Sequence, residues 1–246
     1  MRSVLIIVIL LGVIPAATSA RVPLRPTACV VLLHGLWRTE LSMKWLQWEL
    51  EEAGFTTANP TYPSLRYSIE ELALRGVGQG LEECAAYQPE QIHFVTHSLG
   101  GILVRQYLSS AEIPKLGRVV MLGPPNQGSK VADYAHSLEF LQPLAPQALE
   151  QLGTGNRSVP LQLGPVAFEL GVIAGTENLL GGMPGSSDLP GDGTVAVTET
   201  VVPGMLDFIE LPVGHSMMMW SDLVRDQVLY FLRNGRFNHL PATNVP

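Results

Sequence analysis

The chain has 246 residues, of which 46% are hydrophobic and 15% are charged, so it suits one compact domain with a large core and not a disordered chain. The formal net charge is −7 and the sequence has no dense cluster of Lys and Arg. This charge argues against nucleic acid or an anionic membrane surface as a partner.

The first 20 residues differ from the rest of the chain. Arg2 precedes an apolar run from Val4 to Ile14, a proline ends the run, and small residues follow. This order is typical of a secretory signal peptide, and the run is too short to span a bilayer comfortably. We therefore expect a signal peptide over residues 1–20, a single domain over residues 21–246 and a secreted or periplasmic location. An uncleaved membrane anchor is the alternative.

Strands and helices are predicted to alternate along the rest of the chain. The strand candidates are apolar runs at Ala28–Leu33, Thr56–Asn59, Ile92–Thr96, Arg118–Leu122, Leu170–Ala174 and Phe208–Leu211. Helical spacing of apolar residues marks the segments Ser42–Ala53, Ser68–Cys84, Leu99–Leu108 and Leu223–Leu232, and the second begins with the spacing of a capping box. This alternation predicts an α/β fold with a mostly parallel sheet of about six strands, covered by helices on both faces.

Residues 124–165 are rich in Pro, Gly, Gln and Leu and contain two short helical stretches but no clear strand. We expect this segment to be an insertion that forms a small cap over one end of the sheet. The two cysteines, Cys29 and Cys84, are expected near the same edge of the sheet. An oxidising compartment permits a disulfide between them, but two separate buried thiols are the simpler interpretation.

Ser98 stands where the third predicted strand changes into a helix without a linker. In so sharp a turn a serine is strained and its hydroxyl is exposed above the sheet. Gly100 keeps the helix side of the turn small. Thr96, however, occupies the first glycine position of the usual Gly-x-Ser-x-Gly pattern, and its branched side chain is predicted to crowd the turn. A serine that merely caps the helix is the alternative.

Three further loops follow predicted strands and supply partners for this serine. The Leu36 amide, just after the first strand, can join the Leu99 amide in an oxyanion hole. Asp192 and His215 follow the last two strands, where a plain Asp-Gly turn and an uninvolved loop histidine are the alternatives. The chain order Ser98, Asp192, His215 is nucleophile, orienting acid and base, so the three residues are predicted to form a catalytic triad.

These motifs together resemble those of the bacterial lipase and esterase branch of the α/β-hydrolase superfamily. The matching segments are His34-Gly35-Leu36, Thr96-His97-Ser98-Leu99-Gly100-Gly101, Gly191-Asp192-Gly193-Thr194-Val195 and Gly214-His215, and Pro124-Pro125-Asn126-Gln127-Gly128-Ser129 resembles the segment that opens the cap. The resemblance extends over about residues 28 to 234. It implies an α/β-hydrolase fold, a triad of Ser98, Asp192 and His215, and an oxyanion hole made by Leu36 and Leu99. Members of this kind tolerate threonine at the position of Thr96.

The expected activity is hydrolysis of a carboxylic ester through an acyl-enzyme, without a cofactor. The substrate is expected to be a small-molecule ester of short or medium acyl length, or a lipid ester reached by transient contact with a lipid surface. An acyltransferase that uses the same triad and a non-catalytic binding protein of the same fold are the alternatives. Acyl-chain length, the natural substrate and oligomeric state are not predicted.

Other candidate residues are weaker. Asp188 is the reserve candidate for the acid, and Glu199 and Asp207 rank below it. His34 is expected to bond within its own loop and His97 to point away from Ser98. No metal is predicted because the six histidines lack metal-binding spacing, and the glycine-rich segment 76–80 lacks the preceding strand of a dinucleotide site.

Two groups of apolar residues are open to more than one interpretation. The methionines of Met217-Met218-Met219-Trp220 either line an acyl pocket or pack the start of the last helix, and packing is favoured. Four cap residues either contact an acyl chain or form a small core of the cap: Phe140, Leu141, Leu144 and Leu149.

Overall fold

The computed structural model describes residues 28–138, 145–178 and 189–239. The predicted signal peptide, the reserve acid Asp188 and the cap residues Phe140, Leu141 and Leu144 lie outside the described residues. No helix in the described ranges is long and apolar enough to cross a lipid bilayer.

The described residues contain a six-stranded sheet in which all neighbouring strands are parallel. The strands are β1 (Ala28–Leu33), β2 (Thr56–Ala58), β3 (Gln91–His97), β4 (Leu116–Leu122), β5 (Leu170–Gly175) and β6 (Asp207–Leu211), and their order is β2-β1-β3-β4-β5-β6. The prediction of a mostly parallel sheet of about six strands is confirmed, and each observed strand agrees with its prediction to within two residues.

Helices follow the strands as expected from the alternating pattern. They are α1 (Lys44–Glu52), α2 (Ile69–Ala85), α3 (Leu99–Leu108), α4 (Lys130–Ser137), α5 (Gln147–Gln151), α6 (Val159–Gln162), α7 (Val197–Thr200) and α8 (Asp222–Asn234). The four predicted helices correspond to α1, α2, α3 and α8. The predicted capping box at α2 is present, because Ser68 Oγ accepts a hydrogen bond from the Glu71 amide and the Glu71 carboxylate accepts one from the Ser68 amide.

Successive side chains of the strands enter two separate cores. Val31 and Phe94 belong to a core shared with α2 and α3, whereas Val30 and Val95 belong to a core shared with α1 and α8. Because helices cover both faces of the sheet, every residue of β1 is buried. This two-sided burial explains why the first strand is a continuous apolar run with no polar alternation.

Cys29 and Cys84 form a disulfide, with their Cα atoms 5.8 Å apart. The expectation of two separate thiols is therefore wrong. Helix α2 packs across β1 within one core, and this crossing brings the last turn of the helix to the start of the strand. Both cysteines are completely buried, so the disulfide joins two layers of the fold from inside.

The segment predicted to be a cap carries three described helices, α4, α5 and α6, one more than its sequence suggested. Arg105 of α3 binds the base of this segment. Its guanidinium donates hydrogen bonds to both oxygens of Asn126 and to the carbonyls of Pro160 and Gly164. Burial lowers the pKa of Arg105 to about 10, so it remains protonated at neutral pH. The buried Arg105 guanidinium thus connects three residues of this segment to α3, which covers one face of the sheet.

Candidate active site

Ser98 lies between β3 and α3 with φ of 53° and ψ of −122°, a conformation that non-glycine residues rarely adopt. Its amide donates to the Leu122 carbonyl of β4 at 2.9 Å, and its own carbonyl accepts from the Gly101 amide at 3.0 Å. The residue is partly exposed, whereas its neighbours His97 and Leu99 are buried. The surrounding hydrogen bonds therefore hold a strained backbone that presents the serine at the surface of the site.

Two glycines allow α3 to begin this close to the sheet. A Cβ atom at Gly100 would lie 2.5 Å from the Leu33 carbonyl oxygen, so only glycine fits against the end of β1. A Cβ atom at Gly101 would lie 3.2 Å from Thr96 Oγ1 and 2.9 Å from Met121 Sδ. The crowding expected from Thr96 is thus relieved at Gly101, which leaves the space that the threonine side chain fills.

Asp192 and His215 are in direct contact. His215 Nδ1 donates to Asp192 Oδ2 at 2.7 Å, and the His215 amide donates to the Asp192 carbonyl at 3.0 Å. Asp192 Oδ1 accepts from the amides of Thr194 at 3.0 Å and Val195 at 2.8 Å. The Asp192 side chain is fully buried and that of His215 is 10% exposed. These bonds fix the carboxylate and place a proton on Nδ1, so His215 Nε2 is the ring nitrogen left to accept one.

Gly123, just after β4, packs against this Asp–His pair. Its φ is 53°, and its amide donates to the Ile173 carbonyl of β5 at 2.9 Å. A Cβ atom at this position would lie 2.8 Å from Asp192 Oδ2 and 3.1 Å from His215 Nδ1. Gly123 is not among the predicted site residues, although a glycine that directly follows a strand is a signal of close backbone approach.

Ser98 and His215 line the same cavity, which has a volume of about 230 Å³. Within the described part of the chain, the Ser98 hydroxyl makes no hydrogen bond to His215. Such bonds are often long or poorly aligned without substrate and tighten when it binds. The structure therefore brings all three predicted triad residues to one site, with the acid and base in contact and with Ser98 and His215 lining one cavity.

The loop after β1 brings the predicted oxyanion-hole residues to Ser98. A Cβ atom at Gly35 would lie only 3.1 Å from Ser98 Cβ, and Leu36 lines the cavity. The neighbouring Trp37 has a positive φ of 56°, which turns the chain sharply after Leu36. No described residue accepts a hydrogen bond from the Leu36 or Leu99 amide. Both amides remain open to a ligand beside the serine.

Two buried histidines surround the site without contacting Asp192. His97 Nε2 lies 3.0 Å from the His215 carbonyl oxygen, and the two imidazole rings are 4.6 Å apart between centroids. Burial, and then the nearby His215, hold the pKa of His97 well below its usual range. His34 stacks on Tyr62 with centroids 3.9 Å apart, and its Nδ1 lies 2.9 Å from the Gly35 carbonyl oxygen. His97 therefore supports the main chain of His215 from a neutral state.

The cavity also has an apolar lining, which comes from the segment predicted to be a cap. Five of its residues line the cavity: Val131, Ala132, Ala135, Leu149 and Leu152. Leu149 also packs into the core that the sheet shares with α2 and α3, and its contact with an acyl chain stays a prediction. Met218 and Met219 are buried in the core at the start of α8, whereas Met217 and Trp220 are about half exposed. Packing is the observed role of the two buried methionines.

The weaker acid candidates lie in other environments. The buried Glu199 carboxylate accepts hydrogen bonds from the amides of Lys130 at 3.0 Å and Ala196 at 2.9 Å, which joins α4 to the loop that carries Asp192. Asp207 pairs with His239 at 2.9 Å. Within the described ranges, no group of three or more His, Cys, Asp or Glu side chains could hold a metal ion.

Sequence comparison relates the chain to a large enzyme superfamily. The model of a family described as the alpha/beta hydrolase family matches residues 30–225. A search of curated proteins finds none that matches the chain.

Several solved structures have the same fold. The mature form of a lipase from Bacillus licheniformis is 19% identical, with a TM-score of 0.62 over 86% of this chain and 92% of that chain. A carboxyl esterase of metagenomic origin is 20% identical, with a TM-score of 0.56 over 77% of this chain and 65% of that chain. A thermophilic esterase from Thermogutta terrifontis is 15% identical, with a TM-score of 0.57 over 85% and 90%. At these identities the similarity shows the fold alone.

Proposed function

Because the chain belongs to the alpha/beta hydrolase family, we propose that it is a serine carboxylic-ester hydrolase with Ser98 as nucleophile, His215 as base and Asp192 as orienting acid. The observation that carries the proposal is the buried Asp192–His215 hydrogen bond of 2.7 Å beside a strained, partly exposed serine on the same cavity. The esterases and lipases among the similar structures support the same reaction class.

In the first half of the reaction, Ser98 Oγ attacks the ester carbonyl while His215 Nε2 takes the serine proton. The Asp192 carboxylate keeps the imidazole in the required tautomer and stabilises the imidazolium that forms. The carbonyl oxygen becomes an oxyanion, which the Leu36 and Leu99 amides bind. His215 then gives its proton to the leaving alcohol, and the acyl group remains on the serine.

In the second half, His215 activates a water molecule that attacks the acyl-enzyme. The carboxylic acid leaves and the serine recovers its proton. The apolar wall of Val131, Ala132 and Ala135 supports binding of an acyl chain. These side chains line the cavity of about 230 Å³ that also contains Ser98 and His215. We therefore propose esters of short or medium acyl length, with transient contact with a lipid surface when the ester is a lipid.

We also propose that the protein is secreted or periplasmic. The Cys29–Cys84 disulfide supports this location, because disulfides persist in oxidising compartments and are rare in a reducing cytosol. Cell fractionation and N-terminal sequencing of the expressed full chain test the proposal. A mature protein that begins near residue 21 outside the cytoplasm supports it, and an intact Met1 in the cytoplasmic fraction contradicts it.

The test of the activity is hydrolysis of p-nitrophenyl esters of increasing chain length by the wild type, Ser98→Ala and Ser110→Ala. Ser110 is an exposed serine after α3 whose hydroxyl bonds only to the Tyr107 carbonyl, so it is the matched control. We expect Ser98→Ala to lose activity by about 10⁴-fold or more, and Ser110→Ala to match the wild type. Unchanged activity in Ser98→Ala refutes the assignment.

Two further measurements separate the alternatives. A fluorophosphonate probe is expected to label Ser98, as located by peptide mass spectrometry. Failure to label the serine favours a non-catalytic binding protein. An added alcohol competes with water for the acyl-enzyme, so a product mixture dominated by the new ester identifies an acyltransferase.

A further inference from the structure

The catalytic cavity is electrically one-sided. Arg38 is the one permanently charged residue among the described residues that line it, and none of those residues is acidic. The chain as a whole carries a formal net charge of −7, so the position of Arg38 does not simply reflect a generally basic protein surface. A guanidinium that lines a cavity is expected to have a negatively charged binding partner.

Within the described chain, that partner is not a carboxylate. The Arg38 guanidinium donates one hydrogen bond, from an Nη atom to Ser216 Oγ at 2.7 Å, and no described acidic side chain lies within 4.0 Å of it. A guanidinium has five N–H donors in a planar fork that matches a carboxylate or a phosphate. Most of these donors remain open at the half-buried mouth of the cavity.

The backbone fixes Arg38 in this place. Trp37 adopts a positive φ of 56°, and the Arg38 amide donates to the Gly35 carbonyl at 3.3 Å, which closes the turn after β1. The same turn carries the Leu36 amide of the proposed oxyanion hole. The turn therefore holds the Arg38 main chain beside the proposed oxyanion hole, and the hydrogen bond to Ser216 Oγ holds its guanidinium at the cavity.

The position of Arg38 indicates which half of an ester it faces. Ser216, its hydrogen-bond partner, directly follows His215, and His215 must protonate the leaving alcohol. Apolar residues of α4 and α5 also line the cavity and suit an acyl chain. Because Arg38 bonds to the residue next to His215, a group that it binds is expected to belong to the alcohol part of the ester.

We propose that Arg38 binds an anionic group, a phosphate or a carboxylate, on the alcohol part of the ester substrate. This inference rests on the proposed function and names the substrate class of the same site. The reaction is ordinary ester hydrolysis: the acyl C–O bond breaks, the oxygen of water joins the acyl carbon, and a proton passes through His215 to the alcohol. The anionic group is bound and takes no part in the bond changes.

Two pairs of butyrate esters test the inference. One pair is 1-butyrylglycerol 3-phosphate and 1-butyrylglycerol, and the other is 4-butyryloxybenzoate and 4-butyryloxybenzamide. In each pair the acyl group is the same, and the alcohol part carries an anionic group in one ester and an uncharged polar group in the other. Released butyrate is quantified by chromatography, and the ratio of kcat/KM for the charged ester to that for the neutral ester is the measured quantity.

The variants separate charge from shape. Arg38→Gln removes the charge and keeps an amide donor, Arg38→Lys keeps the charge and loses the fork, and Arg66→Gln removes an exposed charge that does not line the cavity. We expect the wild type and Arg66→Gln to prefer the charged ester of at least one pair by roughly tenfold to a hundredfold. The preference should vanish in Arg38→Gln, persist in part in Arg38→Lys and weaken with added salt.

Each outcome bears on the inference. A preference confined to the phosphate pair or to the carboxylate pair supports it and identifies the group. Equal hydrolysis of charged and neutral esters by the wild type, or an undiminished preference in Arg38→Gln, overturns it and leaves the proposed function intact. Absence of hydrolysis of all four esters together with no labelling of Ser98 overturns the proposed function as well.

Discussion

Replacement of Gly123 by alanine tests whether the contact between Asp192 and His215 governs the activity. The new Cβ atom would lie 2.8 Å from Asp192 Oδ2, about 0.6 Å closer than the 3.4 Å at which ordinary contact begins. It would also lie 3.1 Å from His215 Nδ1. The methyl group therefore enters the space between the two hydrogen-bonded side chains and the end of β4, and the pair must move.

The size of the effect follows from this displacement. Misplacement of a catalytic group by about 1 Å costs on the order of a hundredfold in rate, so a shift of this size should lower kcat by roughly tenfold to a hundredfold. The positive φ of 53° adds a conformational cost of about 1 to 2 kcal/mol to folding, because a side chain at this φ meets its own backbone. Gly123→Ala should thus lose both stability and activity.

Gly164→Ala is the matched control. Gly164 has a similar φ of 66°, but a Cβ atom there would meet nothing within 4 Å. Both variants should unfold at lower urea concentration, Gly123→Ala by the larger free energy because its Cβ also clashes, while only Gly123→Ala should lose kcat in a p-nitrophenyl butyrate assay of folded protein. If the two variants have the same kcat, the geometry of the Asp192–His215 pair does not limit the reaction and the reasoning is refuted.

Three further predictions concern the fold around the site. The double variant Cys29→Ala/Cys84→Ala should lose about 4 kcal/mol of unfolding free energy, since the disulfide closes a long loop of sequence separation 55; an unchanged urea midpoint contradicts this. Burial lowers the pKa of His93 to about 4, so the unfolded chain binds its proton first as the pH falls below 6.5. The stability contributed by neutral His93 is thus present above pH 6.5 and lost toward pH 4. In urea unfolding at pH 6.5 and pH 4, His93→Gln should lose about 3 kcal/mol less unfolding free energy between the two pH values than the wild type. An equal loss in both proteins contradicts the assignment to His93. Gly101→Ala should be destabilising because its Cβ would meet Met121 Sδ at 2.9 Å and Thr96 Oγ1 at 3.2 Å. In a double-mutant cycle Thr96→Gly should therefore cost less free energy of unfolding beside Gly101→Ala than in the wild type, whereas strictly additive losses argue against the pairing.

Local sequence patterns were sufficient to predict most of the secondary structure. The run Ala28–Leu33 is apolar at every position because β1 is covered on both faces, and this pattern gives the strand bounds without knowledge of its neighbours. The capping box at Ser68 and the abrupt strand-to-helix change at Ser98 are equally local, since each depends on residues a few positions apart. Ser98, Asp192 and His215 each follow a predicted strand, so their order along the chain could be interpreted as that of a catalytic triad.

Contacts between distant segments had no such local signal. The spacing of Cys29 and Cys84 does not predict their disulfide, because the crossing of α2 over β1 depends on how the helix packs. Arg38 was not singled out because its meeting with Ser216, 178 positions later, exists only once β1 and β6 end at the same edge of the sheet.

The amino-acid sequence by itself determined the elements, their alternation and the chemical type of the candidate residues, because hydrophobic periodicity, capping and sharp turns act over a few residues. Tertiary structure alone decided which groups touch: the 2.7 Å bond between His215 and Asp192, the absence of room at Gly123, and the cationic and apolar walls of one cavity. Those distances arise from packing between segments far apart in the chain, and no single segment encodes them.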